Sequence, residues 1–208
     1  MVRTDHGIRL ILTVKLSECH LVPKGAVDAD LSKSTRTRLF QDRFPDRFFN
    51  IGIAEQNMVG VAAGLALRGL IPFTNTFAFV AAFRSAEQIR TSVAYPNLNV
   101  KVVGHTGGLS PAFDGPSHQE NADLAVMRAL PNMTVVVPAD AVEAARVVPL
   151  LASMVGPVYL RLCRNAIPDV FAPEHQFRLG VNTVLREGRH VTLIAMGVML
   201  GMALEASA

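Results

Sequence analysis

Phe48-Phe49-Asn50-Ile51-Gly52-Ile53-Ala54-Glu55-Gln56-Asn57-Met58-Val59-Gly60-Val61-Ala62-Ala63-Gly64-Leu65-Ala66 is the stretch on which the fold turns. It reads as a short strand, a tight turn, and a helix that opens on one carboxylate and continues in small or apolar residues. A helix that is apolar all round is buried, so the pattern predicts that Glu55 enters the interior with it. A buried carboxylate is costly unless it is paired or protonated. Glu55 therefore either meets a partner inside, or is an ordinary acidic residue at a helix start, facing the dipole. Gly60 and Gly64 lie four apart and share a face. Glycine there costs about 1 kcal/mol relative to alanine, which fits tight packing or the close approach of another backbone.

Outward from this stretch the alternation continues. Apolar, strand-like runs at Phe48–Ile51, Ile71–Thr76, Asn99–Gly104, Met133–Val137 and Val158–Leu162 are separated by helical patterns. The helices are expected at Glu55–Arg68, Ala78–Val93, Glu120–Ala129 and Ala141–Ala152, the last with Asp140 as N-cap. This repetition predicts an α/β fold, a parallel sheet with helices on both faces. Active sites on such sheets gather beyond the carboxyl ends of the strands. Residues 1–167 form the expected main domain, of which 1–25 read as irregular. Residues 168–180 read as a linker, with Pro168 and Pro173. Within 181–208, Val181–Leu185 and Val191–Met196 read as the first strands of a second α/β domain, expected to be cut short at Ala208.

Composition narrows the classes. Half of the 208 residues are hydrophobic and 18% are charged, so a sizeable core is available and disorder is not expected. The net charge of +3 comes from interspersed Arg and Asp, with no basic cluster for nucleic acid. Cys19 and Cys163 match no disulfide or zinc spacing, which points to a reducing, cytoplasmic compartment. The run Ile8 to Leu16 is too short to span a bilayer. There is no G-x-G-x-x-G, P-loop, G-x-S-x-G or H-E-x-x-H.

Two further features carry chemistry. His105-Thr106-Gly107-Gly108-Leu109-Ser110-Pro111-Ala112-Phe113-Asp114-Gly115-Pro116-Ser117-His118-Gln119 follows a strand and reads as a long, shaped loop. Two His and an Asp there suit proton transfer or the binding of hydroxyls. The spacing does not favour zinc, and no metal ligand is assigned. In Thr76-Phe77-Ala78-Phe79-Val80-Ala81-Ala82-Phe83-Arg84, Phe79 and Phe83 stand at i,i+4. They suit either the core or the wall of a flat ring ligand.

Val27-Asp28-Ala29-Asp30-Leu31-Ser32-Lys33-Ser34-Thr35, the Phe49–Ala66 stretch, Asp114-Gly115-Pro116-Ser117-His118-Gln119 and Pro131-Asn132-Met133-Thr134-Val135-Val136-Val137-Pro138-Ala139-Asp140 together resemble the transketolase family. The likeness is to its pyrimidine-binding domain, and more narrowly to the C-terminal section of transketolases split over two polypeptides. It runs from about Ala26 onward. The resemblance implies thiamine diphosphate as cofactor and transfer of a two-carbon ketol unit between sugar phosphates, in the pentose phosphate manner. It places Glu55 at N1′ of the aminopyrimidine, as a catalytic and cofactor-binding residue. Phe77 and Phe83 would hold the pyrimidine ring; Val80 stands where an aromatic is frequent, so the cage is either looser or completed by Phe79. His118 would be catalytic beside the donor hydroxyls, and Asp114 would read the C2 hydroxyl. His105, Arg164, Ser34 and Arg3 would bind the phosphate end of the sugar. Phe113 stands at a commonly acidic position, and His6 replaces a usual Tyr.

The G-D-G…Asn motif for diphosphate and metal is not in this sequence. The resemblance therefore implies a partner, the N-terminal section, that binds the diphosphate and Mg2+ (or Ca2+), in a dimer of heterodimers. Two alternatives stand beside this reading. One is another thiamine diphosphate enzyme, a deoxyxylulose-phosphate synthase or a 2-oxo acid dehydrogenase β chain. The other is an inactive chain that only binds its partner.

Overall fold

The computed structural model describes residues 24–208. Six strands, β1 (Lys24–Asp28), β2 (Phe48–Asn50), β3 (Ile71–Phe77), β4 (Lys101–His105), β5 (Thr134–Val136) and β6 (Val158–Arg161), form one sheet. Their order is β2-β1-β3-β4-β6-β5, and every pairing is parallel. Helices α1 (Glu55–Leu67), α2 (Asp123–Arg128) and α3 (Ala141–Ser153) follow β2, β4 and β5, and α4 (Met199–Ala206) lies near the end of the chain.

Strand alternation divides the core between the two faces. Val27, Val102 and Tyr159 pack with Met58, Val59 and Ala62 of α1. Their neighbours Ala26, Val103 and Leu160 face the other way, onto Val147, Val148 and Leu151 of α3. Central strands covered on both sides are rich in apolar residues, and the apolar cores of β3, β4 and β6 are why the sequence located them.

β1 was not among the expected strands. Lys24-Gly25-Ala26-Val27-Asp28 has a lysine, a glycine and an aspartate, all poor strand formers, yet all five residues are buried between β2 and β3. Position in the sheet overrides local preference here.

Three other expectations change. α1 is not apolar all round in effect: Glu55, Met58, Val59, Ala62 and Ala63 are buried, whereas Gln56, Asn57, Gly60, Gly64 and Leu67 are exposed. A Cβ added at Gly60 or Gly64 would meet nothing within 4 Å among the described residues, so these glycines do not serve tight packing there. The expected helix Ala78–Val93 divides into wide-turn helices Val80–Arg84 and Ile89–Ala94 around Ala86–Gln88. Their amides reach back five residues, as in Ser85 N to Val80 O at 3.2 Å and Tyr95 N to Arg90 O at 2.9 Å. The strands expected at 181–185 and 191–196 do not form. Nearly every residue there is exposed, and a segment with no neighbouring strand has no ladder to satisfy its backbone.

The segment read as a linker is tied down. Asp140 caps α3 by accepting from Glu143 N through Oδ1 at 2.8 Å. Its Oδ2 accepts from Val170 N and Phe171 N, each at 2.8 Å. Glu143 Oε2 in return accepts from Ala139 N at 2.9 Å, a reciprocal cap.

Candidate active site

The chain leaves β1 toward one edge of the sheet and leaves β3 toward the other, which makes their carboxyl ends the switch point where open α/β sheets bind ligands. The turn that delivers Glu55 is built beside it. Asn50 Oδ1 accepts from Asp30 N at 3.1 Å and from Gly52 N at 3.0 Å, joining the ends of β1 and β2. Gly52 then takes φ +77°, a left-handed conformation that favours glycine. From there α1 begins on Glu55, which is only 2% exposed. Its Oε2 accepts from Arg84 Nη1 at 2.7 Å, and Thr76 Oγ1 lies 3.4 Å from Oε1. The partner that the sequence left open is thus in part a protein group.

Next to Thr76, Phe77 stacks on Phe79 with ring centres 6.3 Å apart and an angle of 29°. The His118 ring meets both edge-on, at 5.8 Å from Phe77 and 5.4 Å from Phe79. Ser117 Oγ lies 3.0 Å from His118 Nδ1. Phe83 is 62% exposed. The wide turns displace the i,i+4 relation, and Phe79 stacks on Phe77 instead.

The loop after β4 is pinned to the strand beside it. Gly107 N donates to Leu162 O at 2.9 Å, and Glu120 N to Gly108 O at 3.0 Å. Ser110 Oγ donates to Gly107 O at 2.7 Å and accepts from Arg164 N at 3.1 Å. The Arg164 guanidinium pairs with Asp114. Beneath the loop, the fully buried Asp123 accepts from Tyr159 OH and from Arg161 Nε, both at 2.8 Å. Burial, and then the charge of Asp123, push the Tyr159 hydroxyl pKa well above 10. A Cβ at Gly104 would stand 2.8 Å from Tyr159 Cζ, and one at Gly107 2.6 Å from Arg161 Nε. A side chain at either position would force Tyr159 or Arg161 to shift.

The other expected site residues are placed as follows. His105 is fully buried, its Nε2 3.1 Å from Asn75 Oδ1. Because Asn75 Nδ2 donates to Phe73 O at 2.8 Å, Oδ1 faces the ring and can only accept, so Nε2 carries the proton. Ser34 is exposed on the short helix Ser32–Thr35 beyond the end of β1. Arg3 lies outside the described residues. No group of three or more His, Cys, Asp or Glu that could hold a metal occurs among the described residues.

Residues 20–170 match the family described as "Transketolase, pyrimidine binding domain". The chain belongs to the transketolase family. It is 45% identical over 207 residues to a Methanocaldococcus jannaschii protein provisionally described as a transketolase C-terminal section, covering 99% of this chain and 64% of that one. It is 41% identical over 182 residues to the 6-deoxy-6-sulfo-D-fructose transketolase subunit SqwH of Clostridium sp., covering 88% and 56%. A solved split-gene transketolase, described as an inactive β4 tetramer, superposes with a TM-score of 0.87 at 49% identity, covering 98% of this chain and 67% of that one. The chain thus spans 56% to 64% of the length of these two curated relatives. The six-stranded parallel α/β domain is the transketolase pyrimidine domain, and the family implies thiamine diphosphate.

The residues present fit a flat, protonatable ring. Glu55 is a buried carboxylate whose Oε1 has only a long contact, and the ring pair Phe77–Phe79 begins one residue from that contact. Sequence reasoning missed Arg84, Asn75 and the Asp123–Tyr159–Arg161 group. Arg84 carried one signal, a lone charge closing the apolar run from Phe77 to Phe83.

Proposed function

We propose that this chain is one section of a two-chain transketolase, transferring a two-carbon ketol unit between sugar phosphates with thiamine diphosphate. The observation that carries the reading is the buried Glu55 carboxylate beside the Phe77–Phe79–His118 cluster at the carboxyl end of the sheet. When bound, the cofactor supplies the electron sink for cleaving the carbon–carbon bond of the donor. Glu55 shares a proton with ring atom N1′. Phe77, Phe79 and Phe83 exclude water from the ring faces. His118 holds a proton near the donor hydroxyls, and Asp114 accepts from the C2 hydroxyl. Arg164 binds phosphate by a charge-assisted fork, with Ser34, His105 and Arg3 around it.

The diphosphate and its Mg2+ (or Ca2+) fall to a partner N-terminal section, in a dimer of heterodimers. Two observations support a partner. Relatives are named as subunits, including one from the apulose-4-phosphate transketolase of Actinobacillus succinogenes, 37% identical over 189 residues. The split-gene relative described as inactive is an assembly of β chains alone. The largely exposed side chains of 181–208 also fit the opening of a further domain, reached through residues 168–180, whose start is held by Asp140.

The test is a ketol-transfer assay on this chain alone and assembled with its N-terminal section, with and without thiamine diphosphate. Xylulose 5-phosphate and pyruvate serve as rival donors. Activity is expected only in the assembled, cofactor-loaded protein and only with the ketose phosphate. Turnover of pyruvate would favour the 2-oxo acid or deoxyxylulose-phosphate reading. Silence in every combination would favour a chain that only binds its partner.

A further inference from the structure

Glu55 has two carboxylate oxygens, and the structure treats them differently. Oε2 takes a short, charge-assisted bond from Arg84 Nη1 at 2.7 Å. Oε1 has only the 3.4 Å contact with Thr76 Oγ1, at the outer limit of a hydrogen bond. A carboxylate is planar, so fixing one oxygen sets the plane and aims the other. Oε1 is therefore turned toward Thr76, the residue before Phe77, on the side where the ring pair stands.

Arg84 is placed for this by the backbone. It ends the wide-turn helix Val80–Arg84, directly after Phe83. Widened helical turns re-aim the side chains that follow them and recur at functional sites. The Arg84 side chain is 49% exposed while Glu55 is interior, so the guanidinium approaches from the solvent side. The carboxylate charge is paired from outside, and the inward oxygen keeps its capacity for another donor.

We propose that Arg84 is a positioning residue: it clamps Oε2 so that Oε1 is the oxygen presented to the basic ring nitrogen of the bound cofactor. This rests on the thiamine diphosphate reading above. Arg84 acts through Glu55 and touches neither the sugar nor the bond that breaks. Its planar fork sets direction as well as charge, which a lysine ammonium cannot do.

The test measures cofactor binding by calorimetry on the assembled two-section protein with saturating Mg2+. Thiamine diphosphate is compared with an analogue carrying CH in place of N1′, in the parent protein and in Arg84→Met, Arg84→Lys and Glu55→Gln. The parent is expected to prefer the natural cofactor. Arg84→Met is expected to weaken thiamine diphosphate about tenfold, the scale of removing a group that orients a ligand-binding residue. It should leave the analogue's affinity unchanged, with Arg84→Lys in between. Arg84→Met binding both compounds as the parent does, or losing both equally, would overturn the proposal. Folding is checked by circular dichroism melts of each variant. If parent and Glu55→Gln fail alike to tell the two compounds apart, the cofactor reading itself fails and the proposal goes with it.

Discussion

The Arg164 guanidinium is bonded to the Asp114 carboxylate, so two groups each proposed to bind a sugar phosphate hold one another in this structure. On the proposed reading, each would keep the other oriented and electrostatically neutral until a ligand with a hydroxyl and a phosphate separated them. Both side chains are partly exposed. Such pairs contribute only about 0–1 kcal/mol to folding.

Asp114→Asn and Arg164→Met are therefore expected to unfold within ~1 kcal/mol of the parent. In the assembled protein each should raise KM for the sugar phosphate about tenfold, the loss of one charge-assisted contact. Thermal melts beside steady-state kinetics check this. A large loss of stability with unchanged KM would make the pair structural.

The Asp123 group predicts the opposite balance. Tyr159→Phe removes a donor from a fully buried carboxylate and should cost about 1–3 kcal/mol in urea unfolding. Gly104→Ala drives a methyl into the Tyr159 ring and should cost about 1–3 kcal/mol by overpacking. Neutral outcomes for both would show that β6 does not brace the loop in this way.

Lys101 gives a pH dependence. Its side chain is buried and donates to Met154 O at 2.8 Å and Gly156 O at 2.7 Å. Burial lowers its pKa from the ordinary 10.5 to about 8. Below pH 8 the folded and unfolded chains both carry the proton, and the cost of burying the charge is present in full. Between about 8 and 10.5 the unfolded chain binds more protons than the folded one, so this group makes stability rise with pH. The rise is about 1–3 kcal/mol, held down by the two carbonyls that favour the charged form. Urea unfolding at pH 7 and pH 10 should show the rise in the parent relative to Lys101→Met. Parallel curves would refute it.

Much of the fold was legible because β3, β4 and β6 are buried strands that carry short apolar runs, Ile71–Phe73, Val102–Val103 and Val158–Leu160. β1 was hidden because its Lys24, Gly25 and Asp28 are stabilised by neighbours distant in sequence. The same limit applied to the site. Glu55 stood out because a carboxylate at the head of an apolar helix is a local anomaly. Arg84 did not, since its relation to Glu55 spans 29 residues and depends on a wide turn that no local pattern announced. Residues 181–196 have strand-like composition, but a strand is a property of a pair and these residues pair with no strand among the described ones.

The central claim is that Glu55 is the proton-sharing group of a site completed by another chain. Its most direct test is ketol transfer by the assembled two-section protein carrying Glu55→Gln, which keeps the shape and removes the charge. Turnover is expected to fall by a factor on the order of 10³ or more, with the fold and assembly intact; near-parental turnover would contradict the account.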